Sequence, residues 1–306
     1  ASISVAEINA GGLMASAGII PGLAAIAAGH LVGSLLLGLM GYVGFREKMP
    51  SLMCTRIAFG RRGSWLLSLA NVMQLLGWTA VMLQQNTQAV GGITRSLWGV
   101  ENGPAVTVVM GCLVLLWALW ESEGKTVGNS LAVLLLGLLA VLVSWTLWGR
   151  AEGAVIAEPV KSMSFSEAFE LSLIMPLSWV PLVADYACRA KSARAACLAP
   201  ALGYLAGSVW MYCLGFAGAL ITGEADPTPM LLAAGLGAEA ALRLGVGVVD
   251  AEGTFVVPQQ VEQPLRALVQ SGHGRHLACG PVCVLHTREK KNGELRRRRD
   301  YPEVPR

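Results

Sequence analysis

Charge is scarce in this sequence: Asp, Glu, Lys and Arg make up 14% of its 306 residues, against 54% hydrophobic residues and a mean hydropathy of +0.55. A soluble globular domain carries roughly a quarter charged residues, so that class is excluded. Catalytic patterns are lacking as well. No HExxH, no Ser-His constellation and no paired Asp with nucleophile geometry occurs within the apolar stretches, which leaves a membrane-embedded enzyme without support. Cysteine is present but without a metal-ligand or disulfide spacing. Cys54, Cys112, Cys188, Cys197 and Cys213 lie in or beside apolar stretches, where a small hydrophobic thiol is the expected role. A cleavable signal peptide is also missing, and because the first residue is Ala rather than Met, the N-terminus is expected to be incomplete.

What the sequence does have is long apolar runs. Stretches near or above the roughly 20 residues that cross about 30 Å of hydrocarbon occur at about 3–20, 22–45, 65–92, 103–121, 127–148, 165–188 and 195–222, and an eighth begins at about 229. The expected fold is therefore an all-α integral membrane protein embedded in a lipid bilayer. Residues 1–237 hold 12 Lys/Arg and 12 Asp/Glu, whereas the much shorter 238–306 holds 11 and 8. The chain divides accordingly into a transmembrane region, 1–237, and a polar tail.

Basic residues stay on the cytoplasmic side of short loops. Arg46, Lys48, Arg56, Arg61 and Arg62 lie between the second and third spans, and Arg189, Lys191 and Arg194 follow the sixth. Counting crossings puts both groups on one side and the acidic Glu224 and Asp226 on the other. The N-terminus is then cytoplasmic, in a plasma (inner) membrane.

Interruptions of spanning helices are tolerated where they line a cavity. The first span reads SVAEINAGGLMASAG, and its break is expected at Asn9, Ala10, Gly11 and Gly12, just after Glu7. The sixth reads FSEAFELSLIMPLSWVPLVADY, with Pro176 and Pro181 bracketing Ser178 and Trp179. Breaks five spans apart suit a transporter with inverted repeats; glycines that allow close helix packing and prolines that only kink are the alternative.

The third span carries a polar stripe, NVMQLLGWTAVMLQQ. At about 100° per residue, Asn71, Gln74, Trp78 and Gln85 fall within a sector of roughly 60°. Amides offer donors and acceptors at every physiological pH and suit a planar ligand edged with N–H and C=O groups, with Trp78 as a stacking face. Amide-mediated helix packing is the competing account. Carboxylates within the membrane are costly and usually functional. Glu7 is placed to sense a cation, a proton or a substrate N–H group; Asp185, four residues before Arg189, is a gate or a structural salt bridge. Glu167 and Glu170, after Ser164 and Ser166, read as helix capping. His30 reads as a packed, hydrogen-bonded group rather than a proton relay.

Four runs taken together, SVAEINAGGLMASAG, GHLVGSLLLGLMGYVG, TRIAFGRRGSWLLSLANVMQLLGWTAVM and PLSWVPLVADY, resemble the nucleobase:cation symporter-1 family over about residues 1–237. Within it the sequence is most similar to the hydroxymethylpyrimidine permeases, relatives of the cytosine permeases. The resemblance implies a LeuT-type inverted repeat of twelve helices, of which about seven are present here. It also implies a secondary active transporter that imports a pyrimidine-type heterocycle with Na⁺ or H⁺ and uses no organic cofactor. In such proteins the substrate lies between a Trp of helix 3 and a Trp of helix 6, positions matched by Trp78 and Trp179, with Gln74 on the face of Trp78. The interrupted helix 1 and helix 8 would form the cation site. The ending ADYAC departs from the usual ADYTR-like pattern, which leaves the role of Asp185 open.

The resemblance stops where hydropathy stops. A shift of reading frame near residue 238 is expected, which would make the chain a truncated fragment or scaffold that transports nothing. His273, His276, Cys279, Cys283 and His286 match no common zinc module, so no metal site is expected. The run Arg296 to Arg299 reads as a disordered basic segment rather than a nucleic-acid site.

Overall fold

The computed structural model of the protein describes residues 3–99, 103–119, 124–151, 162–227 and 230. The eighth span from about 229, the tail 238–306 and its histidines and cysteines lie outside the described residues, apart from Met230 itself. Among the described residues there are seven α-helices and no strand. They are α1 (Val5–Met14), α2 (Ile19–Glu47), α3 (Ser51–Trp98), α4 (Gly103–Leu119), α5 (Gly124–Ala151), α6 (Phe165–Ala187) and α7 (Ala193–Thr222).

Among the described residues, four stretches are long and apolar enough to cross a membrane: Ile19–Glu47, Ser51–Gly92, Phe165–Ala187 and Ala193–Thr222. Their outer faces carry large apolar side chains such as Leu31, Leu35, Leu66 and Leu69. Such faces are stable against hydrocarbon and costly against water.

The first span departs from expectation. Helix α1 has only ten residues, about 15 Å at 1.5 Å per residue, roughly half the hydrocarbon thickness. It runs without a break through Asn9, Ala10, Gly11 and Gly12. The interruption lies one turn later, in a 3₁₀ turn at Ala15–Ala17 followed by Gly18 at φ 92°. Only glycine adopts that backbone without strain, and there the chain reverses into α2.

Gly11 and Gly12 serve packing instead. A Cβ on Gly11 would strike the Tyr212 backbone of α7, and one on Gly12 the Ala225 carbonyl. The Ala15 N–H bonds back to the Gly12 and Leu13 carbonyls.

Helix α6 is also continuous across Pro176 and Pro181. Proline removes a donor and crowds the preceding turn, but here the Pro176 ring is seated on Gly33 of α2. The space a side chain would have taken accommodates the ring. The N-terminus of α6 forms the expected capping box, Ser164 with Glu167.

Helix α2 is the spine of the bundle. Gly29, Gly33 and Gly44 meet Ser172, Pro176 and Ala184 of α6 in ascending order, so α2 and α6 run parallel. Gly22 and Gly38 meet Phe216 and Cys197 of α7 in descending order, so α2 and α7 run antiparallel. Close backbone approach at small residues is the usual glue between helices in lipid.

One further element differs from expectation. The basic stretch before the third span is not a loop. Residues from Ser51 onward are already helical, and α3 only kinks at Gly60 (φ 64°, ψ −175°).

Candidate functional site

Two groups of polar residues occupy the interior. The first joins α3 to α6. Gln74 Nε2 donates to the Ser178 carbonyl at 3.0 Å, between the two prolines and beside Trp179. One turn earlier on α3, Asn71 is buried, and neither its amide nitrogen nor its oxygen has a partner in the protein. Leaving such a group unsatisfied costs about 1–3 kcal/mol, so this face of α3 is built for something polar.

The two tryptophans are both half-buried but pack in different places. Trp78, with Met82, lies against the cluster of Met14, Ile26, Met175 and Phe216. Trp179 lies against Leu37, Val183 and Tyr204. The structure therefore brings together Gln74, Ser178 and Trp179, whereas Trp78 stands one turn further along α3.

The second group is centred on Glu7, which is 1% exposed. Helix packing of α1 on α7 sets its carboxylate against two hydroxyls one turn apart. Tyr204 Oη donates to Oε1 at 2.8 Å and Ser208 Oγ donates to Oε2 at 2.6 Å. Beyond Ser208 the chain of polar groups continues. His30 Nε2 lies 2.7 Å from Ser208 Oγ, and His30 Nδ1 lies 2.7 Å from Ser172 Oγ and 3.1 Å from the Ile26 carbonyl. Tyr212 closes over the imidazole edge-on at 4.5 Å between ring centres. His30 is thus packed and hydrogen-bonded, and it ties α2 to α6 and α7.

Ser172, Tyr204 and Ser208 carry no mark in the sequence beyond being polar in apolar helices. Tyr204 and Ser208 sit four apart, on one helical face, and that spacing was the available signal.

Asp185 does not form the expected ion pair with Arg189. Its Oδ1 accepts from the Ser51 N–H at 2.8 Å, and Ser51 Oγ in turn accepts from the Ala184 N–H at 2.9 Å. Arg189 reaches the Asp185 main-chain carbonyl instead of the carboxylate. The N-cap position of α3 is Pro50, which has no side chain able to cap. Asp185 supplies the missing acceptor from the neighbouring helix, where a negative charge also meets the positive end of the α3 dipole. Asp185→Ala is expected to lower the unfolding midpoint by the equivalent of about 1–2 kcal/mol, with Asp185→Asn recovering much of it. Equal midpoints for Asp185→Ala and the parent would remove the capping role.

The profile of the family described as permease for cytosine/purines, uracil, thiamine and allantoin matches residues 1–236, and the chain belongs to that family. It is a multi-pass membrane protein of a transporter family, not an enzyme.

Cytosine permease of Escherichia coli K12 is 27% identical over 228 residues, covering 71% of this chain and 52% of that protein. The cytosine permease of E. coli O157:H7 matches to the same extent. The chain thus spans about half the length of these relatives.

Among solved structures, Mhp1, a nucleobase-cation-symport-1 family transporter in a closed conformation with bromovinylhydantoin bound, superposes with a TM-score of 0.67 at 19% identity. That match covers 91% of this chain and 70% of Mhp1. Its inward-facing conformation gives 0.70 at 20% identity, over 89% and 68%. The fold is accordingly a partial LeuT-type one.

Proposed function

We propose that this chain provides the substrate-binding part of a cation-coupled permease for a pyrimidine-type heterocycle such as hydroxymethylpyrimidine or cytosine, coupled to Na⁺ or H⁺. The observation that carries the reading is the buried, unpartnered amide of Asn71 beside the Gln74 to Ser178 contact. A pyrimidine edge presents alternating donors and acceptors, and an Asn side chain offers one of each. Trp179 and Trp78 are the proposed stacking faces for the ring. Glu7 serves the cation side of the cycle. The family description and the named cytosine permeases support the substrate class.

The basic residues at the ends of α2 and α6 lie at one end of the bundle, because Gly44 touches Ala184. The positive-inside rule supports a cytoplasmic assignment of that end, and a plasma (inner) membrane with the N-terminus cytoplasmic is part of the proposal.

The test is equilibrium binding of labelled cytosine and hydroxymethylpyrimidine to the purified chain in lipid nanodiscs. Asn71→Leu is expected to weaken binding by at least tenfold, about 1.4 kcal/mol, and Trp179→Ala by a similar factor. Binding of either substrate that is indifferent to both substitutions would remove this site from the account.

A further inference from the structure

The polar chain from Glu7 to Ser172 has a property that a merely structural pin does not need: its side-chain hydrogen bonds can run in two directions that differ by one proton, and only the direction with Nδ1 protonated also satisfies the 3.1 Å contact of Nδ1 with the Ile26 carbonyl. Each hydroxyl has a single hydrogen, so the directions can be assigned by counting. With Glu7 ionised, the carboxylate only accepts. Ser208 must then donate to Glu7 Oε2, at 2.6 Å, and can only accept from His30 Nε2–H, at 2.7 Å. A neutral His30 in that tautomer leaves Nδ1 bare, to accept the Ser172 hydroxyl at 2.7 Å.

With Glu7 protonated, every arrow reverses. The carboxylic acid donates to Ser208, Ser208 donates to Nε2, and Nδ1–H donates to Ser172 Oγ and the Ile26 carbonyl. Ser172 then donates to that carbonyl at 3.0 Å. The step balances: a proton arrives at Nδ1, the Nε2 proton passes to Ser208, the Ser208 proton passes to Glu7, and the net gain is one proton on the carboxylate. Tyr204 Oη donates to Oε1 in both states.

We propose that the Glu7–Ser208–His30–Ser172 chain is the binding site of the coupling cation and that this cation is a proton. The proposal rests on the permease reading above. Its surroundings favour a proton over a metal ion. Among the described residues, the titratable groups that face the chain are Glu7 from α1, His30 from α2, and Tyr204 and Tyr212 from α7. Helix α6 contributes the Ser172 hydroxyl and the Leu171 carbonyl, the latter taken by Tyr212 Oη at 3.1 Å. From helix α3, Trp78 and Met82 pack on the hydrophobic cluster that surrounds the polar chain. Both Glu7 oxygens are already engaged by hydroxyl donors, which present hydrogen to the carboxylate where a metal ion needs lone pairs. No cationic side chain pairs with Glu7; among the described residues the ion pair found is Arg46 with Glu47, at the end of α2. A proton neutralises the carboxylate without displacing any of these neighbours.

The geometry also connects this site to the substrate face. Tyr204, the donor to Glu7 Oε1, belongs to the small cluster on which Trp179 packs. Movement of Trp179 over a substrate therefore bears on a ligand of the proton site.

The decisive measurement reads the imidazole directly and needs no substrate. The full chain, labelled with ¹⁵N-histidine, is placed in nanodiscs and examined by solid-state NMR across pH. The spectrum of His30→Gln is subtracted to isolate His30 from the other three histidines. The expected result is a swap from the Nε2–H tautomer at high pH to the Nδ1–H tautomer at low pH, with the swap absent in Glu7→Gln and in Ser208→Ala. A single tautomer at every pH, or a swap that survives both substitutions, overturns the proton site.

Cytosine affinity, read by tryptophan fluorescence, is then expected to fall about tenfold per pH unit above the swap midpoint. It should be indifferent to replacing Na⁺ by choline. Binding that follows Na⁺ and not pH overturns the coupling. If neither pyrimidine binds at any pH while the tautomer swap is present, the substrate assignment fails and the proton site stands.

Discussion

Gly215→Val is expected to cost the fold about 3 kcal/mol, at the upper end of what overpacking a closed interior costs. A Cβ at position 215 would land on the Ile8 carbonyl of α1, with the Gly12 nitrogen 2.9 Å away. Both obstacles are backbone, and backbone in a helix cannot swing aside as a side chain can. The same contact is made from the other side by Gly11 against Tyr212, so α1 and α7 touch main chain to main chain over a full turn. That closeness is what lets Glu7 reach Ser208 at all.

Gly77→Ala is the matched control. Gly77 lies inside α3 with nothing within 4 Å of its would-be Cβ. Alanine there is expected to raise stability by about 0.4–1 kcal/mol through the lost freedom of the unfolded chain. Unfolding midpoints of the two variants in one detergent, followed by far-ultraviolet circular dichroism, should therefore move in opposite directions. A Gly215→Val protein with the parent's midpoint would mean that α1 is not seated on α7.

Glycine explains much of what could and could not be read from the sequence. The apolar runs of α2, α6 and α7 were legible because the hydrocarbon thickness imposes length and hydropathy on any spanning helix. The interruption after α1 was not legible in place, and the one expected in α6 is absent. Gly11-Gly12 looks the same on paper whether it breaks a helix or admits a neighbour, and only the position of α7 decides. Pro176 looks like a break until Gly33 of α2 is found beneath it.

The polar stripe of α3 followed from helical periodicity, and Gln74 does reach α6. Periodicity says which face a residue is on but not what stands opposite. The separate packing of Trp78 and Trp179 was therefore invisible. Asp185 shows the same limit. Its neighbour Arg189 in sequence suggested a salt bridge, but the partner of its carboxylate is the N-terminus of α3, 134 residues away in sequence. The Glu7 to Ser172 chain draws on four helices, and its members are single polar residues in four apolar runs. No local pattern could have joined them.

The second large effect concerns the middle of that chain. His30→Ala empties a fully buried site and removes the partner of two hydroxyls, so the two losses need to be weighed. Hydrogen bonds between membrane helices are worth about 0.6 kcal/mol on average and at most about 1.7, because the unfolded chain in lipid also finds partners. Truncating a large buried side chain to Ala costs about 2–5 kcal/mol when the cavity persists. The cavity therefore outweighs the lost hydrogen bonds, and it will persist, since Gly29 next to His30 already lets α6 approach as closely as Ser172 permits.

His30→Ala is accordingly expected to lose about 3–4 kcal/mol. His30→Leu, which refills most of the volume without a hydrogen bond, should lose only about 1–2 kcal/mol. Double-mutant cycles with Ser172→Ala and Ser208→Ala isolate each bond and should return couplings between about 0.6 and 1.7 kcal/mol. Equal losses for the Ala and Leu variants would reverse the weighing and put hydrogen bonding ahead of packing at this position. The expected order has a consequence for function. If leucine restores most of the stability, the imidazole is not needed to hold α2 to α6 and α7, and what remains for it is the one thing leucine cannot do, which is to pass a proton between Ser172 and Ser208.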